Sequence, residues 1–272
     1  MIVVTGATGN VGWPLIQALA EAGEEVTAVS RKVTEVPAGV RSHRADLTEP
    51  ESLAPAVDGA EALFLLTSPE FMASGNLGDV LKVARASGVR RIVLLSSQGV
   101  GTRRHPSYLE DAVRQSGLDW TMLRPGNFSS NALQWAESVR TQRAVRAPFG
   151  DVALPAIDPA DIAEVAAVTL REPSHGGRIY TLTGPVPVSP RQQAAALGAA
   201  LGEPVRFEEQ SRAQARSRML GYMPEPVVEA TLGVLGAPSA DEQRVSPDAR
   251  RLLGRPPATF ADWAARNIAA FT

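Results

Sequence analysis

Residues 5–12 read TGATGNVG, and they lead from an apolar run into a stretch with helical spacing at 11–23. Glycine permits a tight turn at Gly6, removes a Cβ where the backbone approaches a ligand at Gly9, and lets a helix pack closely at Gly12. A helix that begins here directs its first N–H groups and its positive dipole end at an anion. The stretch therefore predicts a pyrophosphate-binding loop, and the plainer alternative is an ordinary strand-to-helix turn. The residues expected to contact the phosphates are Gly6, Thr8, Gly9, Asn10, Val11 and Gly12.

Short apolar runs alternate with helical patterns along the first half of the chain. They are rich in Val, Ile and Leu and lie at 1–5, 25–30, 61–66, 91–96 and 119–124. Runs that are apolar on both faces are typical of buried strands in a parallel sheet. The alternation predicts an α/β protein with a Rossmann-type, doubly wound parallel sheet.

The pattern changes after about residue 150. A strong helical pattern begins at an Asp-Pro pair and covers 159–171, a strand pattern covers 178–184, and another helix is expected near 190–201. We therefore predict an NAD(P)-binding Rossmann domain at 1–150 and a smaller C-terminal α/β lobe at 151–272. We expect the lobe to cover the substrate and to pack with the first domain as one compact unit.

Composition excludes several classes of function. The chain has no cysteine, which excludes disulfides, thiolate nucleophiles and Cys-ligated metals. The net charge of −2 gives no electrostatic case for nucleic acid, and the three histidines are too scattered to predict a metal site. No apolar run approaches the roughly 18 residues of a membrane-spanning helix, and the first residues lack a secretory pattern. We expect a cytoplasmic protein with a small-molecule partner, and its oligomeric state stays open.

The end of the second apolar run bears on the choice of cofactor. An NAD site usually places Asp or Glu there to bind the ribose hydroxyls, but no carboxylate stands between Val26 and Lys32. Ser30, Arg31 and Lys32 would instead bind a 2′-phosphate, through charge-assisted bonds worth roughly 1.5–3 kcal/mol each. NADP(H) is therefore the expected cofactor, with NAD(H) as the alternative. The plainer interpretation is a solvated basic turn.

Two further segments are expected at the cofactor. Asp46 and Leu47 follow a third strand, at a position where such folds usually meet the adenine. A compatible alternative is that Asp46 or Thr48 caps a helix that begins near Pro50. The stretch LLTSP at 65–69 ends the fourth strand, at the carboxyl edge where cofactors lie in open sheets. The residues expected near the ribose and pyrophosphate are Leu66, Thr67 and Ser68.

The motifs TGATGNVG, SRK, RADL, LLTSP, LLSS and SGLDWTMLRPGNFSSN occur in this order. With them the chain resembles the NmrA-like group of atypical short-chain dehydrogenase/reductases, and the resemblance extends to the closing TFADWAARN. That group includes NAD(P)H-binding regulators, quinone reductases and triphenylmethane reductases. The resemblance implies the cofactor-binding fold, but it does not identify a reaction, because the group mixes enzymes with redox sensors.

The wider superfamily implies a Ser, a Tyr and a Lys four residues after the Tyr, whose cation lowers the Tyr pKa. Ser97 and Tyr108 are the candidate catalytic residues, but Ala112 stands at the Lys position in that register. In a second register, which is anchored on Glu110, Pro106 stands at the Lys position. Both registers lack the pair, and the plainer interpretation of Tyr108 is a partly buried helix residue.

Hydride transfer needs mainly a donor ring held against an acceptor, so an enzyme without this pair is still conceivable. Helix capping is the alternative role for the two asparagines of the expected substrate pocket, and core packing is the alternative for its Phe. The expected pocket residues are Gln98, His105, Asn127, Phe128 and Asn131. The leading hypothesis is an NADP(H)-dependent oxidoreductase with a small planar or carbonyl acceptor, quinone-like or polyketide-like. Its alternatives are a non-catalytic NADP(H) sensor that acts through a protein partner, and an epimerase or dehydratase.

Overall fold

The computed structural model describes residues 1–32 and 35–272. This part of the chain forms two compact units, each assembled from segments that are separated in sequence. The first, the Rossmann unit, comprises Met1–Val100, Pro106–Pro125 and Pro159–Thr181, and the second unit comprises Gly101–His105, Gly126–Asp158 and Leu182–Thr272.

Within the described residues, the strands are β1 Ile2–Thr5, β2 Val26–Ser30, β3 Arg41–Arg44, β4 Ala62–Leu65, β5 Arg91–Leu95, β6 Asp119–Pro125, β7 Ala144–Ala147, β8 Arg178–Leu182 and β9 Arg206–Glu209. The helices are α1 Gly12–Glu21, α2 Ala54–Val57, α3 Pro69–Ser74, α4 Leu77–Ala86, α5 Gln98–Gly101, α6 Tyr108–Gln115, α7 Ala136–Gln142, α8 Pro159–Arg171, α9 Pro190–Leu201, α10 Arg212–Met219, α11 Glu225–Gly236, α12 Ala240–Gln243, α13 Asp248–Leu253 and α14 Phe260–Arg266. Short 3₁₀ helices occur at Pro50–Leu53, Ser129–Trp135, Pro173–His175 and Ile268–Ala270. In these described ranges no helix has the length and apolar character that crossing a membrane requires.

The larger sheet has seven strands among the described residues, in the order β3-β2-β1-β4-β5-β6-β8. The pairs from β3 through β6 are parallel. Strands β1 and β4 are buried along their whole length, which explains their continuous apolar sequences. The order reverses at β1, so the carboxyl ends of β1 and β4 form the switch point at which such sheets bind ligands. The predicted Rossmann-type fold is confirmed.

Helix α8 explains why the observed units differ from the predicted division at residue 150. The helix has the predicted bounds, and it packs against α1 and the central strands of the sheet. Its side chains Ile162 and Val165 are fully buried. Strand β8 then adds to the sheet beside β6. The Rossmann unit therefore needs residues from beyond 150 to cover its apolar sheet.

The second unit has its own core. Strands β7 and β9 form a parallel pair in which Ala144 lies opposite Arg206 and Ala147 opposite Glu209. Buried side chains from α7, α9 and α14 pack with Trp135, which is 5% exposed and belongs to this core. Helix α9 begins at a capping box, in which the side chain of Ser189 accepts a hydrogen bond from the Gln192 N–H.

A buried charge cluster fixes α6 against the carboxyl ends of β5 and β6. The carboxylate of Glu110, 1% exposed, accepts bonds from Arg124 Nε and Nη2 at 2.8 and 2.7 Å. It also accepts from Arg114 Nη2 at 2.8 Å and from Ser96 Oγ at 2.6 Å. Burial by itself raises the pKa of Glu110, but the bonds from Arg124 and Ser96 and the two arginine charges outweigh it, and the pKa is lowered. Glu110 is therefore ionised and held by charge-assisted bonds.

Replacing Glu110 by Gln should lower the free energy of unfolding by about 3 kcal/mol, because two partly buried guanidinium groups lose their carboxylate. Since the folded pKa is lowered, this stabilisation is fully present above the ordinary carboxyl pKa of 4.5 and is lost as the pH falls through the folded pKa. Denaturant unfolding at a series of pH values should show a gap between wild type and variant that narrows below pH 4.5.

The matched control is Glu25→Gln, which removes a carboxylate that is 78% exposed and lies 3.7 Å from Arg41. Such a surface pair contributes less than about 1 kcal/mol. Equal losses in the two variants at pH 7 would contradict the role assigned to Glu110.

Candidate cofactor site

The loop between β1 and α1 is closed by two glycines. Gly6 has φ +64°, in the left-handed region, and a Cβ there would lie 2.9 Å from Leu66 Cδ2. A Cβ on Gly12 would lie 2.1 Å from the carbonyl oxygen of Gly6, closer than atoms can approach. A Cβ on Gly9 would meet only that oxygen, at 3.3 Å. Gly6 and Gly12 are thus required by the loop itself, whereas the side of Gly9 stays open and can admit a ligand.

The start of α1 has the features of an anion site. In the described segment 1–32, no side-chain hydrogen bond caps this helix and no acidic residue lies in its first turn. Val11 and Gly12 are buried, while Thr8, Gly9 and Asn10 immediately before them are exposed. The first N–H groups of a helix lack intrahelical acceptors and carry the positive end of its dipole. The residues present therefore fit the diphosphate of a dinucleotide.

Thr5 connects this loop to the end of β4. Its hydroxyl lies 3.1 Å from the carbonyl oxygens of both Phe64 and Leu66, and it accepts from the Leu66 N–H at 2.8 Å. These bonds bring Leu66 against Gly6, so the structure brings together two of the segments expected at the cofactor. Ser68 accepts from the Phe71 N–H at 3.2 Å and caps α3. Thr67 directs its hydroxyl at Met72 Sδ, 3.5 Å away.

The basic residues after β2 are exposed, as a phosphate site requires. The Ser30 hydroxyl donates to the backbone carbonyl of Lys32, so it shapes the turn. Arg31 Nη1 lies 3.2 Å from Glu70 Oε2 on α3, with the two side chains 54% and 61% exposed. Lys32 is also exposed.

Asp46 forms a turn after β3. Its Oδ1 accepts from the Thr48 N–H at 2.9 Å and from the Thr48 hydroxyl at 2.8 Å. These two bonds are the main cause of a lowered pKa at Asp46, and the charge of Arg31 adds to it. The turn leads into the 3₁₀ helix at Pro50–Leu53, but within the described residues no side-chain hydrogen bond caps this helix, so the capping interpretation is wrong. Leu47 packs, partly buried, against the core of the Rossmann unit. Contact between these residues and an adenine stays a prediction.

The candidate catalytic residues Ser97 and Tyr108 both lie in the Rossmann unit. Ser97 Oγ accepts from the Gly99 N–H at 3.1 Å, at the start of α5. Tyr108, the first residue of α6, is 45% exposed and its hydroxyl lies 3.3 Å from Met72 Sδ. Desolvation raises the pKa of Tyr108, whereas a proton donor of the superfamily type needs a lowered one. Lys82 forms an ion pair with Asp79 on α4, at 2.8 Å.

The expected pocket residues are divided between the two units. Gln98 belongs to the Rossmann unit and His105 to the second unit. Desolvation lowers the pKa of His105, and the negative charge of Glu242 opposes this effect. The second unit brings the other three together. Asn127 Oδ1 accepts from Asn131 Nδ2 at 2.7 Å, and Phe128 bridges to Ile157.

Two residues near the site were not expected from sequence: Glu70, which pairs with Arg31, and Met72, whose sulfur contacts Tyr108. Both lie on α3. The available signal was their position just after LLTSP, at the carboxyl edge of the sheet.

Comparison with known proteins identifies the family to which the chain belongs. The family model described as NAD(P)H-binding matches residues 6–173. The chain is 38% identical to the (4-alkanoyl-5-oxo-2,5-dihydrofuran-3-yl)methyl phosphate reductase of Streptomyces griseus, over 100% of this chain and 99% of that protein. It is 33% identical to the NAD(P)H azoreductase of Xenophilus azovorans, over the same shares of both chains.

The fold is also similar to that of the NADPH-dependent quinone oxidoreductase of Escherichia coli in complex with NADPH. The TM-score is 0.79 at 26% identity, over 98% of this chain and 99% of that one. Quinone reductases are one of the classes that the motif resemblance implies. The family model matches more than half of the chain and two relatives are more than 30% identical over its whole length, so the chain belongs to the NAD(P)H-binding family.

Proposed function

We propose that the protein is an NADP(H)-dependent oxidoreductase of the cytoplasm that transfers hydride to or from a small, planar, conjugated or carbonyl acceptor. The observation that carries the proposal is the open glycine loop at the uncapped start of α1, with two exposed cations after β2. When bound, the nicotinamide cofactor supplies or accepts the hydride. The protein's part is to bind, orient and exclude water.

Each part of the site has a role in this proposal. The N–H groups at the start of α1 hold the diphosphate, with Gly9 leaving room for it. Arg31 and Lys32 hold the 2′-phosphate, and the backbone at Leu66 and Thr67 lies along the ribose. We assign acceptor recognition to the second unit, where Asn127, Phe128 and Asn131 lie together.

The missing Lys of the Tyr–Lys pair bears on the kind of acceptor that the protein can reduce. Ala112 stands four residues after Tyr108, and Pro106 takes the Lys position in the register anchored on Glu110, so neither register supplies the cation that activates the superfamily's proton donor. Acceptors whose polarised, conjugated bonds take hydride with little acid assistance suit such a site. The three similar proteins support this choice, because their names specify a quinone, an azo compound and an oxo-dihydrofuran that carries an acyl group.

The missing Lys of the Tyr–Lys pair also favours a second function. A non-catalytic sensor would bind NADP(H) through the same loop and act through a protein partner. The raised pKa of Tyr108 is as consistent with that role as with an enzyme that needs no acid.

Purified protein should oxidise NADPH in the presence of at least one member of a panel of quinones, azo dyes, triphenylmethane dyes and unsaturated ketones, measured by loss of nicotinamide absorbance. Gly12→Ala should abolish the reaction, because its Cβ collides with the Gly6 carbonyl. Tight NADPH binding with no oxidation by any acceptor, together with recovery of a protein partner, would favour the sensor. Conversion of a substrate without net loss of NADPH would indicate an epimerase or dehydratase.

Wild type should bind NADPH at least about three times more tightly than NADH, because two exposed cations face the 2′-phosphate. Arg31→Gln should raise the Kd for NADPH by roughly tenfold, the loss of one charge-assisted bond, and change the Kd for NADH by less than about twofold. Isothermal titration measures both constants. An unchanged Kd for NADPH in the variant would refute the assignment of Arg31.

Tyr108→Phe should retain kcat within about twofold, since a tyrosine with a raised pKa and no neighbouring cation is a poor general acid. The matched control is Tyr222→Phe, at a tyrosine that is 58% exposed in the second unit. A loss of roughly a hundredfold in kcat at unchanged Kd for NADPH would instead identify Tyr108 as a proton donor.

A further inference from the structure

Helix α3 places a carboxylate at the predicted 2′-phosphate site. Glu70 follows β4 by five residues and Arg31 follows β2 directly, and these two strands flank β1 in the sheet. The ion pair between them, 3.2 Å from Arg31 Nη1 to Glu70 Oε2, therefore joins the two strand ends on either side of the one that carries the glycine loop.

In the protein without cofactor, nearby carboxylates already offset the positive charge of Arg31. Hydrogen bonds from its own backbone N–H and from Ser68 lower the pKa of Glu70, and Arg31 lowers it further, so Glu70 is ionised at neutral pH. The guanidinium of Arg31 is thus paired with Glu70 on α3, and its charge also lowers the pKa of Asp46.

We propose that Glu70 is a specificity-determining residue that weakens NADP(H) binding relative to NAD(H) by competing with the 2′-phosphate for Arg31. This inference rests on the proposed cofactor function. A 2′-phosphate carries nearly two negative charges, so it must displace the Glu70 carboxylate from Arg31 and then bind beside it. NADH carries a hydroxyl at that position and meets no such repulsion.

The same carboxylate has a favourable role with NADH. NAD sites usually bind the ribose hydroxyls with an acidic residue at the end of the second strand, and this chain has none there. Glu70 brings a carboxylate to the same end of the sheet from α3, the helix that follows β4. Glu70 therefore reduces the difference in affinity between NADPH and NADH in two ways. It weakens the binding of NADPH, and it offers NADH a carboxylate near the ribose hydroxyls.

The test compares the Kd values of NADPH and NADH for wild type and Glu70→Gln by isothermal titration, with thermal melting to confirm that the variant is folded. We expect Glu70→Gln to bind NADPH about three- to fivefold more tightly, the range of one exposed charge pair. Binding of NADH should stay equal or weaken. The gain should shrink in 0.5 M salt, which screens exposed charges.

Glu25→Gln is the matched control, because it removes the same exposed charge at the start of β2, the opposite edge of the sheet from Arg31. It should leave both Kd values unchanged. An equal gain for NADPH in both variants would show a net-charge effect and overturn the inference, as would an unchanged Kd in Glu70→Gln.

A double variant separates competition for Arg31 from simple repulsion. When Arg31→Gln is already present, Glu70→Gln should gain less than half as much NADPH affinity, because there is no guanidinium to release. An undiminished gain would overturn the competition mechanism. If Arg31→Gln alone leaves the Kd for NADPH unchanged, the proposed role of Arg31 at the 2′-phosphate fails; if only Glu70→Gln is without effect, this inference alone fails.

Discussion

The contact between Gly12 and the carbonyl of Gly6 is the constraint on which the site depends. With any side chain at position 12, its Cβ would overlap the backbone of the loop, and α1 could not begin directly behind β1. Because it does, the uncapped helix start lies at the carboxyl edge of the sheet, where the parallel order reverses. Helix α1 is held from behind by α8, so the phosphate loop rests on a packed scaffold and not on a free segment.

Charge at the carboxyl edge is arranged in two different ways. At Glu110 it is buried and fully paired, and it positions α6 and the ends of β5 and β6. Around Arg31 the charged groups are exposed. Arg31 forms an ion pair with Glu70, and its charge also lowers the pKa of Asp46. Buried pairs are costly to break, whereas exposed pairs exchange partners easily. The first arrangement suits a scaffold, and the second suits a ligand that carries its own phosphate.

Much of the Rossmann unit could be predicted from sequence because its strands are buried on both faces and its glycines have a fixed geometric purpose. Helix α8 has the predicted bounds, since an Asp-Pro start and a continuous apolar pattern both mark it. The division into units could not be predicted, because it depends on α8 and β8 returning to the first sheet. Strand β9, RFEE, is charged at three of its four positions, and it resembles a loop until it pairs with β7. The Arg31–Glu70 pair joins residues far apart in sequence, and only the sheet order brings them together.

If hydride passes between a nicotinamide held by this loop and a small acceptor, a hydrogen isotope on the nicotinamide ring should follow the same path. The measurement uses NADPH that carries deuterium at the transferable position of the ring and an acceptor that takes hydride at carbon, a triphenylmethane dye or an unsaturated ketone, with mass analysis of the reduced acceptor after a single turnover. Deuterium should appear in the new C–H bond of the reduced acceptor in stoichiometric amount. Reduction of such an acceptor without deuterium at carbon, or tight binding of NADPH with no reduction of any quinone, azo dye, triphenylmethane dye or unsaturated ketone, would contradict hydride transfer at this site.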